Sequence, residues 1–176
     1  MSNSLVRYSL FSSAIAGSAL VLTSITLFAI PASAGDATAN LSVSATVANN
    51  CTISTTPLNF GSYEPSANLD ITGTVTTTCT NGASATIMLG EGLNPGGGST
   101  PTDPKRRLKD GGSNYLSYYL YKDNGHSDLW GDTTGTGLGI NGTGSPEIET
   151  VYGRIPFGQN PVAGTYSDTV VATVQF

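Results

Sequence analysis

Strict period-two alternation in two segments, residues 37–47 and the C-terminal residues 166–176, constrains the fold of this chain most strongly. Between Tyr166 and Phe176, the residues Val170, Ala172, Val174 and Phe176 alternate with Thr169, Val171, Thr173 and Gln175. Between Ala37 and Val47, the residues Ala37, Ala39, Leu41, Val43, Ala45 and Val47 alternate with Thr38, Asn40, Ser42, Ser44 and Thr46. Successive side chains of a strand point to opposite faces, so each segment presents one apolar face that needs a core and one backbone edge that needs a partner. The C-terminal segment runs to the last residue, so its outer edge is expected to be completed from elsewhere. Read on pattern alone, residues 37–47 serve equally well as the first strand of the chain's own sheet or as a strand supplied to another molecule.

The stretch before this pattern reads as an export signal. Arg7 opens it, Leu10 to Ile30 is largely apolar, and Ala32-Ser33-Ala34 fits the small-x-small cleavage rule, which predicts a signal peptide over residues 1–34. The apolar run is not followed by stop-transfer charges, which disfavours an uncleaved anchor. Removing 34 residues from 176 leaves 142, the size of one domain with its own core. Arg7 is the one charged residue lost, so 6 basic and 12 acidic side chains remain, a net charge of −6 that disfavours nucleic acid or an anionic membrane as partner.

Cys51 and Cys79 follow this signal, and an even cysteine count in an oxidising compartment predicts one disulfide closing a separation of 28 residues. Leu69, Ile71, Val75 and Cys79 share parity, which places the Cys79 sulfur toward the core. A metal site is not expected, because His126 is the single histidine and there is no CxxC spacing.

Abundant Gly, Thr, Ser and Asn, and the absence of helical apolar spacing after the signal, predict an all-β domain. Expected strands are Ala37–Val47, Cys51–Thr55, Leu58–Gly61, Leu69–Cys79, Ser84–Gly90, Asn114–Lys122, Ile148–Ile155 and Thr165–Phe176. Short strands so spaced mean a sandwich or barrel. The segment from Gly90 to Ser113, with Lys105, Arg106, Arg107 and Lys109, reads as a surface excursion with a short strand at Arg107 to Lys109. Gly131 to Ser145 reads as a flexible loop.

Motifs of chemistry are weak. Gly137-Leu138-Gly139-Ile140-Asn141-Gly142 matches GxGxxG, yet no strand precedes it and no helical pattern follows, so loop glycine is the better account. There is no GxSxG elbow, and a Ser/His/Asp triad would have to rest on His126 in a polar turn. Asp123, Asn124, Ser127 and Asp128 offer oxygen ligands but miss the EF-hand spacing, and a solvated turn accounts for them. Tyr115, Tyr118, Tyr119 and Tyr121 suit a half-buried strand better than a glycan surface, and the sequons at Asn40, Asn50 and Asn141 carry little weight. No catalytic residue, cofactor or metal is expected.

Several segments together resemble one family. Cys51-Thr52-Ile53, Leu58-Asn59-Phe60-Gly61, Thr78-Cys79, Arg107-Leu108-Lys109, Tyr118 to Asp123, Pro156-Phe157-Gly158 and the ending Gly164 to Phe176 resemble, in order, the spore coat protein U family, which includes subunits of archaic, Csu-type chaperone-usher pili. The resemblance implies an incomplete immunoglobulin-like β-sandwich at 51–176, completed by a donor strand. It implies a groove beside Val170, Ala172, Val174 and Phe176, filled first by a periplasmic chaperone and then by the extension 35–50 of the next subunit. Ala37, Ala39, Leu41, Val43, Ala45 and Val47 would then face into that groove. The expected partners are the chaperone, an outer-membrane usher and neighbouring pilin subunits, on an export route to a surface fibre serving adhesion and biofilm formation. The alternatives are a self-complemented coat or matrix protein and, more distantly, a secreted carbohydrate-binding module resting on the tyrosines and Trp130.

Overall fold

Alternation becomes regular sheet wherever a partner edge is in reach. The computed structural model describes residues 34–176, so the expected signal peptide lies, but for Ala34, outside the described residues. Nine strands form, and there is no helix among the described residues: β1 Cys51–Thr55, β2 Leu69–Cys79, β3 Ser84–Leu89, β4 Arg107–Lys109, β5 Tyr115–Ser117, β6 Tyr119–Tyr121, β7 Leu138–Asn141, β8 Glu147–Ile155 and β9 Ala172–Gln175. They pair antiparallel in a four-stranded sheet β1-β2-β8-β6, a three-stranded sheet β7-β3-β9 and a two-stranded β4-β5.

The inward faces of the larger sheets meet in one apolar core of Val75, Ile87, Leu89, Val151 and Ile155, filled further by Leu116, Tyr118, Leu120 and Trp130. A second cluster, Cys79, Ala83 and Ala85 with Cys51, Ile140 and Val174 against it, closes one end of the sandwich. There Cys51 and Cys79 stand opposite each other in the β1–β2 ladder and are joined as a disulfide. Cys79 is 1% exposed, as its parity with Val75 requires.

Several expectations change on contact with the structure. Residues 34–50 are exposed and carry no strand, since alternation alone cannot supply a ladder partner. Leu58–Gly61 is also not a strand: after β1 the chain leaves the sheet, and Leu58 and Phe60 drop onto its inner face over Gly73 and Gly153. Any side chain at those two glycines would occupy the space that Leu58 fills, which accounts for glycine in the middle of the two longest strands.

The run Asn114–Lys122 divides at Tyr118, so that β5 pairs with β4 and β6 with β8. The expected Gly/Thr loop at 131–145 contains β7, whose Leu138 and Ile140 pair with Ile87 and Ala85. Thr165–Phe176 shrinks to Ala172–Gln175, because its partner β3 ends at Leu89.

Two polar residues move inward. Arg106, expected on a surface excursion, is 1% exposed. It donates to the carbonyls of Leu89 (2.6 Å), Trp130 (2.7 Å) and Gly90 (2.8 Å), satisfying backbone acceptors at the end of β3 and on the segment between β6 and β7. Burial pulls its guanidinium down to about 10, with Tyr118 and nearby carboxylates opposing the shift. His126, expected on an exposed turn, takes a φ of 56° and tucks its ring edge-on against Tyr121 at 5.2 Å, leaving its side chain 7% exposed.

Candidate functional site

Two sheet edges face each other without a strand between them. β1 is an edge of the four-stranded sheet and β9 an edge of the three-stranded one. At the disulfide end they converge, Cys51 and Val174 packing on the same cluster. Away from that end they part. Where β1 runs out at Thr55 and the chain approaches β9 through Val170, the core residues Val75, Leu89, Leu120 and Val151 form the floor of a cavity of about 460 Å³. A second, wider cavity of about 850 Å³ continues toward the opposite pole between Asn59–Pro65 and Pro161–Ser167. Pro57, Leu58, Phe60, Leu108 and Asp168 line both, and so form a neck between them.

The neck is rigid for identifiable reasons. Leu58 is seated in the Gly73/Gly153 hollow, and Phe60 meets Tyr118 edge-on at 5.9 Å. The Asp168 carboxylate receives Leu93 N at 2.9 Å, Asn94 Nδ2 at 3.2 Å and the Tyr118 hydroxyl at 2.7 Å. Gly92 arches over it at a φ of 81°, too close to the carboxylate for a β-carbon. Burial, reinforced by Asp168, pushes the Tyr118 phenol well above its ordinary range, so it stays a hydrogen-bond donor.

Of the four residues expected at the groove edge, Val170 and Ala172 line the narrower cavity. Val174 belongs to the closed end, and Phe176, 52% exposed, lies past the last ladder residue. The residues expected to donate are unburied: Leu41, Val43 and Val47 are 87%, 84% and 83% exposed. Sequence reading missed Leu58, Phe60, Leu108 and Asp168 as groove residues, although the Leu58-Asn59-Phe60 alternation between Pro57 and Gly61 was a usable signal.

The chemistry available here is apolar burial and backbone pairing. Asp123, a candidate cation ligand, instead accepts Asp128 N at 2.7 Å, Ser127 Oγ at 2.9 Å and Ser127 N at 3.0 Å, capping its own turn. Among the described residues there is no group of three or more His, Cys, Asp or Glu placed to hold a metal. Tyr118 is core, as strand packing predicted.

Comparison with known proteins agrees with this architecture. The chain is 44% identical over 158 residues to Protein U of Myxococcus xanthus, covering 83% of this chain and 88% of that protein. It superimposes with a TM-score of 0.54 and 24% identity on a solved chaperone–tip adhesion subunit pre-assembly complex of the archaic chaperone-usher Csu pili of Acinetobacter baumannii. That match covers 74% of this chain and 40% of the other, and supports the incomplete immunoglobulin-like sandwich as the fold. The model of the Spore Coat Protein U domain matches residues 37–173, and the chain belongs to that family.

Proposed function

We propose that this protein is a structural subunit that polymerises by donor-strand complementation, the groove of one copy receiving residues 37–47 of the next. The observation that carries the reading is the open apolar groove between the β1 and β9 edges, in a chain whose N-terminal extension bears an exposed apolar face. Eleven extended residues span roughly 36 Å. Burying Leu41, Val43 and Val47 contributes about 1.5 to 3 kcal/mol each, besides a ladder of backbone bonds on two edges. Such a junction rivals the stability of a domain.

The exit of the extension supports a linear assembly. Asn50 continues the β1–β2 ladder past Cys79, its carbonyl accepting Thr80 N at 2.9 Å and its amide donating to Thr80 Oγ1 at 3.1 Å. The extension therefore leaves at the disulfide end, while the groove opens toward the other pole. A donor whose Val47 lies at the open pole keeps its own body outside the acceptor and repeats the same head-to-tail contact, which propagates as a fibre. Before assembly, the same edge takes a strand from a periplasmic chaperone, and an outer-membrane usher receives the exported subunit. The signal peptide at 1–34, the donor extension at 35–50 and the pilin domain at 51–176 complete the account, with a surface fibre for adhesion and biofilm formation as its product.

A self-complemented coat protein is the second reading, favoured by the name of the family. It requires the chain to reverse between residue 47 and the start of β1 at Cys51. Electron microscopy of the mature chain, with and without excess 37–47 peptide, tests the proposal. Fibres that the peptide shortens are expected, and a monomer at every concentration would overturn it.

A further inference from the structure

The neck divides the groove unequally, and the donor face is also uneven. From the C-terminal side it reads Val47, Ala45, Val43, Leu41, Ala39, Ala37, one large residue, one small, two large, two small. Same-face residues of a strand are about 6.6 to 6.8 Å apart, so each meets a different part of the groove.

We infer that Ala45 of the incoming copy crosses the neck between Leu58, Phe60 and Leu108, and that this small residue sets the register of assembly. The inference rests on the donor-strand reading above. In this register Val47 enters the wide cavity at the open pole, and Val43 and Leu41 fill the 460 Å³ cavity over Val75, Leu89 and Val151. Ala39 and Ala37 then pass where β1 and β9 converge at Cys51 and Val174. A shift of two residues in either direction puts Val47 or Val43 against Leu58. Placing Ala39 at the neck instead leaves the narrower cavity with only the methyl of Ala37.

The neck has the stiffness that discrimination needs. Leu58 cannot retreat, because the backbones of β2 and β8 at Gly73 and Gly153 lie directly beneath it. Asp168 is held by three donors and Phe60 by the Tyr118 ring. A side chain larger than methyl at donor position 45 therefore overpacks a site that cannot expand.

The test measures uptake of fluorescent 37–47 peptides by the chaperone-bound chain, whose groove has not yet received the extension of another copy. An Ala45→Leu peptide is expected to bind at least about tenfold more weakly than the unmodified one, and a Leu58→Ala chain is expected to recover most of that loss by vacating the neck. Equal binding of the two peptides, or the same loss on Leu58→Ala, overturns the register. Where Leu58→Ala does not fold, a peptide carrying a ¹³C-methyl Ala45 bound to the unmodified chain is expected to show contacts to the Phe60 ring protons. Contacts to Val174 or Val162 in their place overturn the register as well. Failure of the unmodified peptide to bind at all is a different outcome and removes the donor-strand reading itself.

Discussion

The hydroxyl of Tyr118 donates to Asp168 Oδ2 across 2.7 Å, tying the buried residue between β5 and β6 to the chain that leads into β9. The bond links the sandwich core to one wall of the groove, and both partners are separated by 50 residues of sequence.

Tyr118→Phe removes one donor from a charged acceptor and is expected to cost about 1.5 to 3 kcal/mol. Asp168→Ala is expected to cost more, because it leaves the Tyr118 hydroxyl buried without a partner and frees Leu93 N and Asn94. Urea denaturation of the two variants, compared at equal m-value, checks the order.

Arg106→Met is expected to be more damaging than either, by about 3 kcal/mol or more, since the carbonyls of Leu89, Gly90 and Trp130 lose their donors together. Arg106→Lys should rescue little, because one ammonium lacks the planar fork that reaches acceptors on separate segments. Thermal unfolding and periplasmic yield report the difference.

Parts of this fold were legible in the sequence and parts were not. Alternation located β2 over Leu69–Cys79 to the residue, because Leu69, Ile71, Val75 and Cys79 face one core and the outward residues are mostly threonine. It missed β7, where Leu138 and Ile140 are the whole signal and Gly139 separates them. Arg106 was illegible for a different reason. Its partners lie 16, 17 and 24 residues away and present carbonyls, which no side-chain pattern records. The alternation at 166–176 pointed to an edge in need of a partner and the family resemblance to a groove beside it, whereas the neck depends on Leu58 leaving the sheet after Thr55, a tertiary event.

Loss of the disulfide by Cys51→Ser is expected to cost about 2 to 5 kcal/mol, because the bond closes a 28-residue separation and its sulfurs lie against Ala83 and Val174 at the convergence of β1 and β9. Thiol labelling of the unreduced, denatured parent protein should find no free thiol; two reactive thiols would refute the bond.

Chaperone capture should be more sensitive to Ala172→Asp than to Phe176→Asp. Ala172 lines the cavity, so a carboxylate there enters an apolar slot, whereas Phe176 lies past β9 and is half exposed. Co-purification of each variant with the chaperone measures this, and loss of capture by Phe176→Asp alone would place the edge wrongly.

The most direct measurement of donation between copies is the behaviour of a mature chain lacking residues 35–47, followed by thermal unfolding and by fibre assembly, with and without the 37–47 peptide. Donation to a neighbour predicts a truncated subunit that folds with its chaperone, gains stability on taking up the peptide and starts no fibre from its own N-terminus. A peptide carrying Leu41→Asp and Val43→Asp should give no such gain. An intact monomer that folds to full stability without peptide and forms no fibres, while the truncated chain is unfolded even with chaperone present, would contradict the account and leave a self-complemented coat protein.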